Sequence, residues 1–154
     1  MKKTIYSALL VMALSVNAFA EVKVSDKKSA KKEAKASSVV LSQFSSTFKG
    51  AEDVSWEVSS KFQKATFIFN GEKLSAYYNF DGELLGTTKV VEEYTEISPV
   101  ALKSLVKSYP GYSIAGIVKY STDETAYYFN LKNEKENFVV KVSPDGYASF
   151  FKNL

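Results

Sequence analysis

The side chains able to do chemistry are few in kind. The 154-residue sequence has no His, no Cys and no Arg, so a Ser-His-Asp triad, a thiolate nucleophile and the usual zinc or copper sites cannot be assembled. Carboxylates, Lys, Tyr and Ser remain. Glu92, Glu93 and Glu96 cluster closely enough to suggest paired acids for glycoside hydrolysis, which needs two carboxyl groups about 5 to 10 Å apart across a sugar cleft. Their setting between a strand and a helix reads more simply as a solvated connector that places negative charge at a helix N-terminus. Asn79, Asp81 and Glu83 form an N-x-D-G-E run, and Asp123, Glu124 and Asp145 offer further oxygens that could attract calcium. The calcium-loop pattern needs more acids at fixed spacing and a Glu at its twelfth position, which are missing here. Hairpin chemistry already accounts for each Asp-Gly pair. No enzyme, no metal site and no cofactor is expected, with calcium as the alternative.

The elements that must position these residues are announced by turns. Residues 73–91 read KLSAYYNFDGELLGTTKVV, two β-rich runs joined through Asp81-Gly82, and residues 138–152 read FVVKVSPDGYASFFK around Asp145-Gly146. Asp-Gly between alternating apolar residues is a strong hairpin signal, and a type I′ turn, with φ > 0 at both central residues, is expected at each. Asn70-Gly71 is a third such turn. Val54, Trp56 and Val58 alternate with polar neighbours, as do Ala65, Phe67 and Phe69. Leu74, Ala76, Tyr78 and Phe80 then face one way, while Ser75, Tyr77 and Asn79 face the other. Trp56, alone of its type, is expected to fill the interior.

Val40, Leu41, Phe44 and Phe48 make a helical stripe that starts near Ser37 and stops at Gly50. Ser98-Pro99 opens a second helix, whose apolar face is Val100, Leu102, Leu105, Val106 and Tyr109 and whose stop is Pro110-Gly111. Strands are expected over 114–120, 125–132, 137–143 and 147–152. The two halves match at offsets of 61 for the helix ends, 60 for FIFN against YYFN, and 64 for the Asp-Gly turns. The expected fold is α+β: a tandem α-β-β-β-β repeat (repeat 1, 39–97; repeat 2, 98–154) forming an antiparallel sheet with both helices on one face. Phe67, Phe69, Ala76, Tyr78, Tyr127, Phe129, Val140 and Val142 would lie under the helices.

Residues 1–20 read as a secretory signal: Lys2 and Lys3, an apolar run over 5–16, and Ala18-Phe19-Ala20 as the cleavage site. The apolar run is shorter than the ~20 residues that span a bilayer, so no transmembrane segment is expected after cleavage following Ala20. Residues 21–38, rich in Lys, Ala and Ser, read as a flexible leader; the alternative is a polybasic strip touching anionic lipid or peptidoglycan. Residues 39–154 hold 12 Lys against 14 Asp and Glu, a formal charge of −2. A near-neutral domain without Arg lacks the footprint of nucleic-acid recognition. The expected location is the periplasm, or outside the cell.

The stretches VSWEV, ATFIFNGEKLSAYYNFDGEL, SPVALKSLVKSYPGYSIAGIVKY and VVKVSPDGY, behind a signal peptide, resemble the PepSY-like periplasmic proteins of Bacteroidetes, a family similar to the beta-lactamase inhibitor protein. The resemblance covers nearly all of 39–154. It implies helices on one side of a curved antiparallel sheet, an open face used for binding, and no catalytic residues; the calcium-regulated label given to some members is also only implied. Thr66, Ile68, Ser75, Tyr77, Asn79, Tyr128, Asn130 and Lys141 would occupy the open face, with Ile68, Tyr77, Asn79, Tyr128, Asn130 and Lys141 as the candidate binding residues. Tyr suits such a surface because it offers a large contact area with few rotors. The expected function is that of an exported, non-enzymatic binding module, inhibitor-like toward another periplasmic or secreted protein. The alternative is a structural or stress-related envelope protein that binds calcium, small ligands or cell-wall material.

Overall fold

The computed structural model describes residues 35–154; the expected signal peptide, its cleavage site and most of the expected leader lie outside them. The described chain is α+β, with two α-helices and eight strands. It falls into two compact units that divide between Thr87 and Thr88. This packing boundary lies inside a strand and precedes the 97/98 point at which the sequence pattern restarts.

The first unit contains α1 (Ser38–Thr47), β1 (Glu52–Val58), β2 (Gln63–Phe69), β3 (Glu72–Tyr78) and the start of β4 (Leu84–Val90). Val40 and Phe44 are the buried residues of α1. Their i, i+4 spacing turns them toward one side, where they pack with Ala65, Phe67, Ala76 and Tyr78. Phe44 meets Phe67 edge-on at 4.9 Å and Trp56 at 5.3 Å, so Trp56 does serve as core filler. Ser37 caps the helix by accepting from the Val40 N–H. Its own N–H donates to Gln63 Oε1 at 2.7 Å, and Gln63 Nε2 donates back to Ser37 Oγ. A fully buried glutamine thereby fixes the start of the helix on β2. The three strands form an antiparallel meander, in which Trp56 faces Ala65, and Ala65 faces Ala76.

The second unit takes the end of β4, a 3₁₀ turn (Tyr94–Glu96), α2 (Pro99–Ser108), β5 (Ser113–Ser121), β6 (Thr125–Lys132), β7 (Asn137–Val142) and β8 (Ala148–Asn153). Ala101 and Leu105 of α2 pack with Ile117, Tyr127, Phe129, Leu131, Phe138, Val140 and Val142. The strands β5 to β8 again pair antiparallel in chain order. Ser98 departs from the expected cap: its side chain makes no bond to the helix N–H groups but donates to the Pro144 carbonyl at 2.7 Å.

Two details correct the turn reading. Asn70 (φ 53) and Gly71 (φ 80) form a two-residue hairpin between Phe69 and Glu72, as type I′ requires. At Asp81-Gly82 only the glycine has positive φ. The Gly82 N–H bonds the Asn79 carbonyl, and the Asn79 N–H bonds the Glu83 carbonyl. This is a three-residue loop ending in a left-handed glycine, and the same bonds recur at Ser143, Gly146 and Tyr147. Because the loop begins early, β3 ends at Tyr78. Phe80, expected on the core face, instead stands in the turn 52 % exposed.

Candidate binding surface

Alternation puts Lys64, Thr66, Ile68, Ser75 and Tyr77 on the side of the first unit away from α1. Thr66 and Ser75, direct partners across the ladder, share a side-chain hydrogen bond at 3.2 Å. Tyr77 was expected to be open but is 3 % exposed. Phe62, from the β1–β2 turn, lies edge-on against its ring at 5.5 Å, and the Lys64 ammonium sits 6.0 Å from the ring centre. Ile68 and Asn79 stay half-buried. Asn79 Oδ1 accepts from the Asp81 and Glu83 N–H groups, and its amide donates to the Glu83 carboxylate, so the amide of the supposed calcium run is committed to building the turn.

The corresponding side of the second unit carries Val118, Tyr120, Ala126, Tyr128, Asn130, Val139 and Lys141. Tyr128 and Lys141 are direct cross-strand partners. Tyr128 is only 2 % exposed, with Phe151 against its ring at 4.9 Å and Tyr120 at 6.5 Å. Burial, with Tyr120 adding to it, pushes its hydroxyl up to about 12. Asn130 is 6 % exposed, and its Oδ1 has no hydrogen-bond partner. Lys141 is half-buried. Ala148 and Phe150 face Val142 and Val140 on the α2 side, so alternation puts Phe151 on this side with Ser149, and the register shift between Val139 and Val140 adds Lys152 to it. Of the six candidates, then, Ile68, Asn79 and Lys141 are accessible, while Tyr77, Tyr128 and Asn130 are covered.

Four of the exposed large apolar side chains lie where hairpins meet helix starts. Val39 in the first turn of α1 lies beside Gly82, and Phe80 projects from the same hairpin. Val100 in the first turn of α2 lies beside Gly146, where Tyr147 stands 74 % exposed. Ser104 donates to the Gly146 carbonyl and Ser143 to the Asp145 carboxylate, the latter bond holding that carboxyl below its usual range. A signal was present in the sequence: each Asp-Gly is flanked by a residue too apolar for a plain turn, Phe80 before one and Tyr147 after the other.

Glu96 forms an ion pair with Lys89, and Glu93 accepts from the Thr95 hydroxyl. Among the described residues no group of three or more acids is placed to hold a metal ion, and no helix is long and apolar enough to cross a membrane.

No family model matches this sequence, and no curated protein matches it. Solved structures do. A BLIP-like protein from Bacteroides fragilis has a TM-score of 0.69 at 14 % identity, with 79 % of this chain and 88 % of that one covered. A DUF2874 family protein from Bacteroides uniformis gives 0.68 at 14 % identity, over 74 % and 86 %. A candidate periplasmic protein from Bacteroides eggerthii gives 0.67 at 12 % identity, over 75 % and 86 %. Identities this low speak to the fold alone, and at that level the resemblance read from the sequence holds: this chain has the fold of the BLIP-like and DUF2874 proteins of Bacteroides.

Proposed function

We propose that this protein is an exported, non-enzymatic module that binds another periplasmic or secreted protein, and that it is built as a tandem α-β-β-β-β repeat. The observation that carries the binding reading is the pair of helix–hairpin junctions, Val39 with Phe80 and Val100 with Tyr147, which display large apolar side chains at corresponding places in the two units. Aromatic side chains on rigid hairpins are good anchors, since little conformational freedom is lost when a partner covers them. Ile68, Asn79 and Lys141 would supply the surrounding contacts, with Tyr77 and Tyr128 acting from beneath by keeping the sheet stiff. Similarity in fold to a BLIP-like protein supports a partner that is itself a protein. The absence of His and Cys from the sequence supports a role without covalent chemistry.

Export follows from the N-terminal 20 residues, with cleavage after Ala20, and the expected leader then spaces the domain only as far as Lys35, because Ala36 is buried and Ser37 caps α1. Affinity capture from an envelope extract, with the chain starting at Glu21 as bait, tests the proposal. A stoichiometric protein should be retained and then lost with the Phe80→Ser/Tyr147→Ser double variant. Capture that is indifferent to those two side chains would defeat the reading, as would stabilisation by calcium or by glycan in the absence of any protein complex.

A further inference from the structure

The strands of the second unit carry no acid. β5 to β8 hold Lys119, Lys132, Lys141 and Lys152 but neither Asp nor Glu, the acids of this unit being confined to turns and to the connector before α2. Lys119 pairs with Tyr127 on the α2 side, whereas Lys141 pairs with Tyr128 and Lys152 with Val139 on the other. Alternation along β6 adds Lys132 to that second side. On the corresponding side of the first unit Glu57 is the cross-strand partner of Lys64, so the signs there are mixed.

Asn130 sits among these lysines. Its cross-strand partners are Gly116 and Val139, neither of which has a side-chain donor. Lys141 stands diagonally across the β6–β7 ladder, at the roughly 7–8 Å spacing that long side chains span. It does not donate: Asn130 is 6 % exposed, and among the described residues no donor reaches its Oδ1. Replacing a buried, unsatisfied acceptor by an apolar side chain is neutral or stabilising, so the fold gains nothing from this oxygen. Gly116, half-exposed beside a register shift, leaves the β5 flank of Asn130 without a side chain, and glycine inside a strand marks a place where another backbone can come close. Burial pulls the Lys152 ammonium below its usual range, a cost that a neighbouring anion offsets.

Two groups on this face thus lack partners among the described residues, the Lys141 ammonium and Asn130 Oδ1. A deprotonated anion alone serves only the first. A peptide that carries a carboxylate serves both, because its main-chain N–H is a donor. We infer that the face of the second unit away from α2 is a subsite for an acidic segment of the partner protein, with a Glu or Asp carboxylate against Lys141 and a main-chain N–H of the same segment on Asn130 Oδ1. Lys132 and Lys152 extend the positive field around it. The inference rests on the protein-binding reading above and adds the partner's chemistry to it: the hairpin tips supply apolar anchorage, and this face selects negative charge.

Titration of the chain starting at Glu21 with N-acetyl hexaglutamate, followed by amide chemical shifts at low salt, tests the subsite. Shifts should centre on β6 and β7 around Asn130 and Lys141 and fade as salt is raised, and hexaglutamine should cause none. Lys141→Met, which keeps an apolar stem and removes the charge, should weaken binding roughly tenfold. Asn130→Leu should weaken it roughly threefold while the chain melts level with wild type or higher, a combination that a merely structural asparagine would not give. Phe80→Ser/Tyr147→Ser should bind hexaglutamate like wild type, so failure of the hairpin anchors and failure of this subsite are read separately. Shifts confined to the Lys-rich leader, binding indifferent to Lys141→Met and Asn130→Leu, a marked loss of stability in Asn130→Leu, or an equal response to inorganic phosphate would each overturn the inference.

Discussion

The helix of the first unit buries Val40 and Phe44 against its strands, and the helix of the second buries Ala101 and Leu105 at the same two places. Phe44 and Phe48 of the first meet Trp56, Phe67 and Phe69 of the strands, with Ala65 and Ala76 in the same core. Ala101 and Leu105 occupy the same helix positions as Val40 and Phe44, and they meet Tyr127, Phe129, Phe138, Val140 and Val142. One backbone plan thus reaches close packing from two distributions of volume. What the plan requires is the sum across the interface rather than a particular residue at a particular place.

The sharpest way to break this comparison is to empty one side of it. Phe129→Ala removes a fully buried ring from the core that Ala101 and Leu105 cover, and should cost about 3–5 kcal/mol in denaturant melts. Phe44→Leu, which gives α1 the side chain that α2 carries, should cost less than half of that. Equal losses would mean that the two cores do not share volume as described.

Much of the architecture was legible beforehand, for identifiable reasons. The strands and helices lie where apolar runs and turn residues place them, and Asn70-Gly71 formed the turn that its residue types demand, but of the face expected for α2 Val100 and Val106 are exposed while Ala101 is buried. Exposure was less legible. Tyr77 and Tyr128 alternate away from the helices as expected, yet Phe62 comes from a turn, which period-2 counting leaves out, and Phe151 comes from the last strand, whose place beside β7 follows only from the pairing, and each packs on a tyrosine. Phe80 failed for a related reason: Asp81-Gly82 closes a three-residue loop, so the strand ends before it. Gln63 was overlooked because a polar residue at a core-facing position looks like an error until its partner, Ser37, is known.

The two hairpin glycines provide a finer test. A Cβ at Gly82 would overlap Val39 Cγ1, whereas at Gly146 it would stand 3.0 Å from Val100 Cγ1 and 3.3 Å from the Val100 carbonyl oxygen. Both positions have φ near +90°, so Ala at either costs on the order of 1–2 kcal/mol for backbone strain. Gly82→Ala should cost more than Gly146→Ala, and adding Val39→Ala should return only the steric share. Full recovery in the double variant would show that backbone strain at Gly82 contributes little.

Smaller again is the difference between the two serines that begin the helices. Ser37→Ala removes a cap and a partner of Gln63, and should cost about 1–2 kcal/mol. Ser98→Ala removes a single bond to the Pro144 carbonyl and should cost about 0.5–1 kcal/mol. Reversal of that order in thermal melts would contradict the roles assigned to them.

The smallest expected change concerns Tyr78, whose buried hydroxyl has no hydrogen-bond partner. Tyr78→Phe should be neutral or stabilising by up to about 1 kcal/mol. Burial raises the Tyr78 hydroxyl from 10.0 to about 12, so above pH 10 the unfolded chain gives up this proton before the folded one does. Stability is therefore complete below pH 10 and falls between pH 10 and about 12, with Tyr128 adding to the fall. Tyr78→Phe should flatten this slope while leaving the neutral-pH melt nearly unchanged. A steep alkaline slope that survives both Tyr78→Phe and Tyr128→Phe would mean that other groups control it.

In each unit the strands pair in chain order, β1 with β2 and β2 with β3, then β5 with β6 through to β8. Partners are thus separated by little more than a turn, which keeps the loop-closure cost of each pairing low and favours rapid folding. A chain paired in this way can add each strand to the one before it, without waiting for a distant segment and without any disulfide to form.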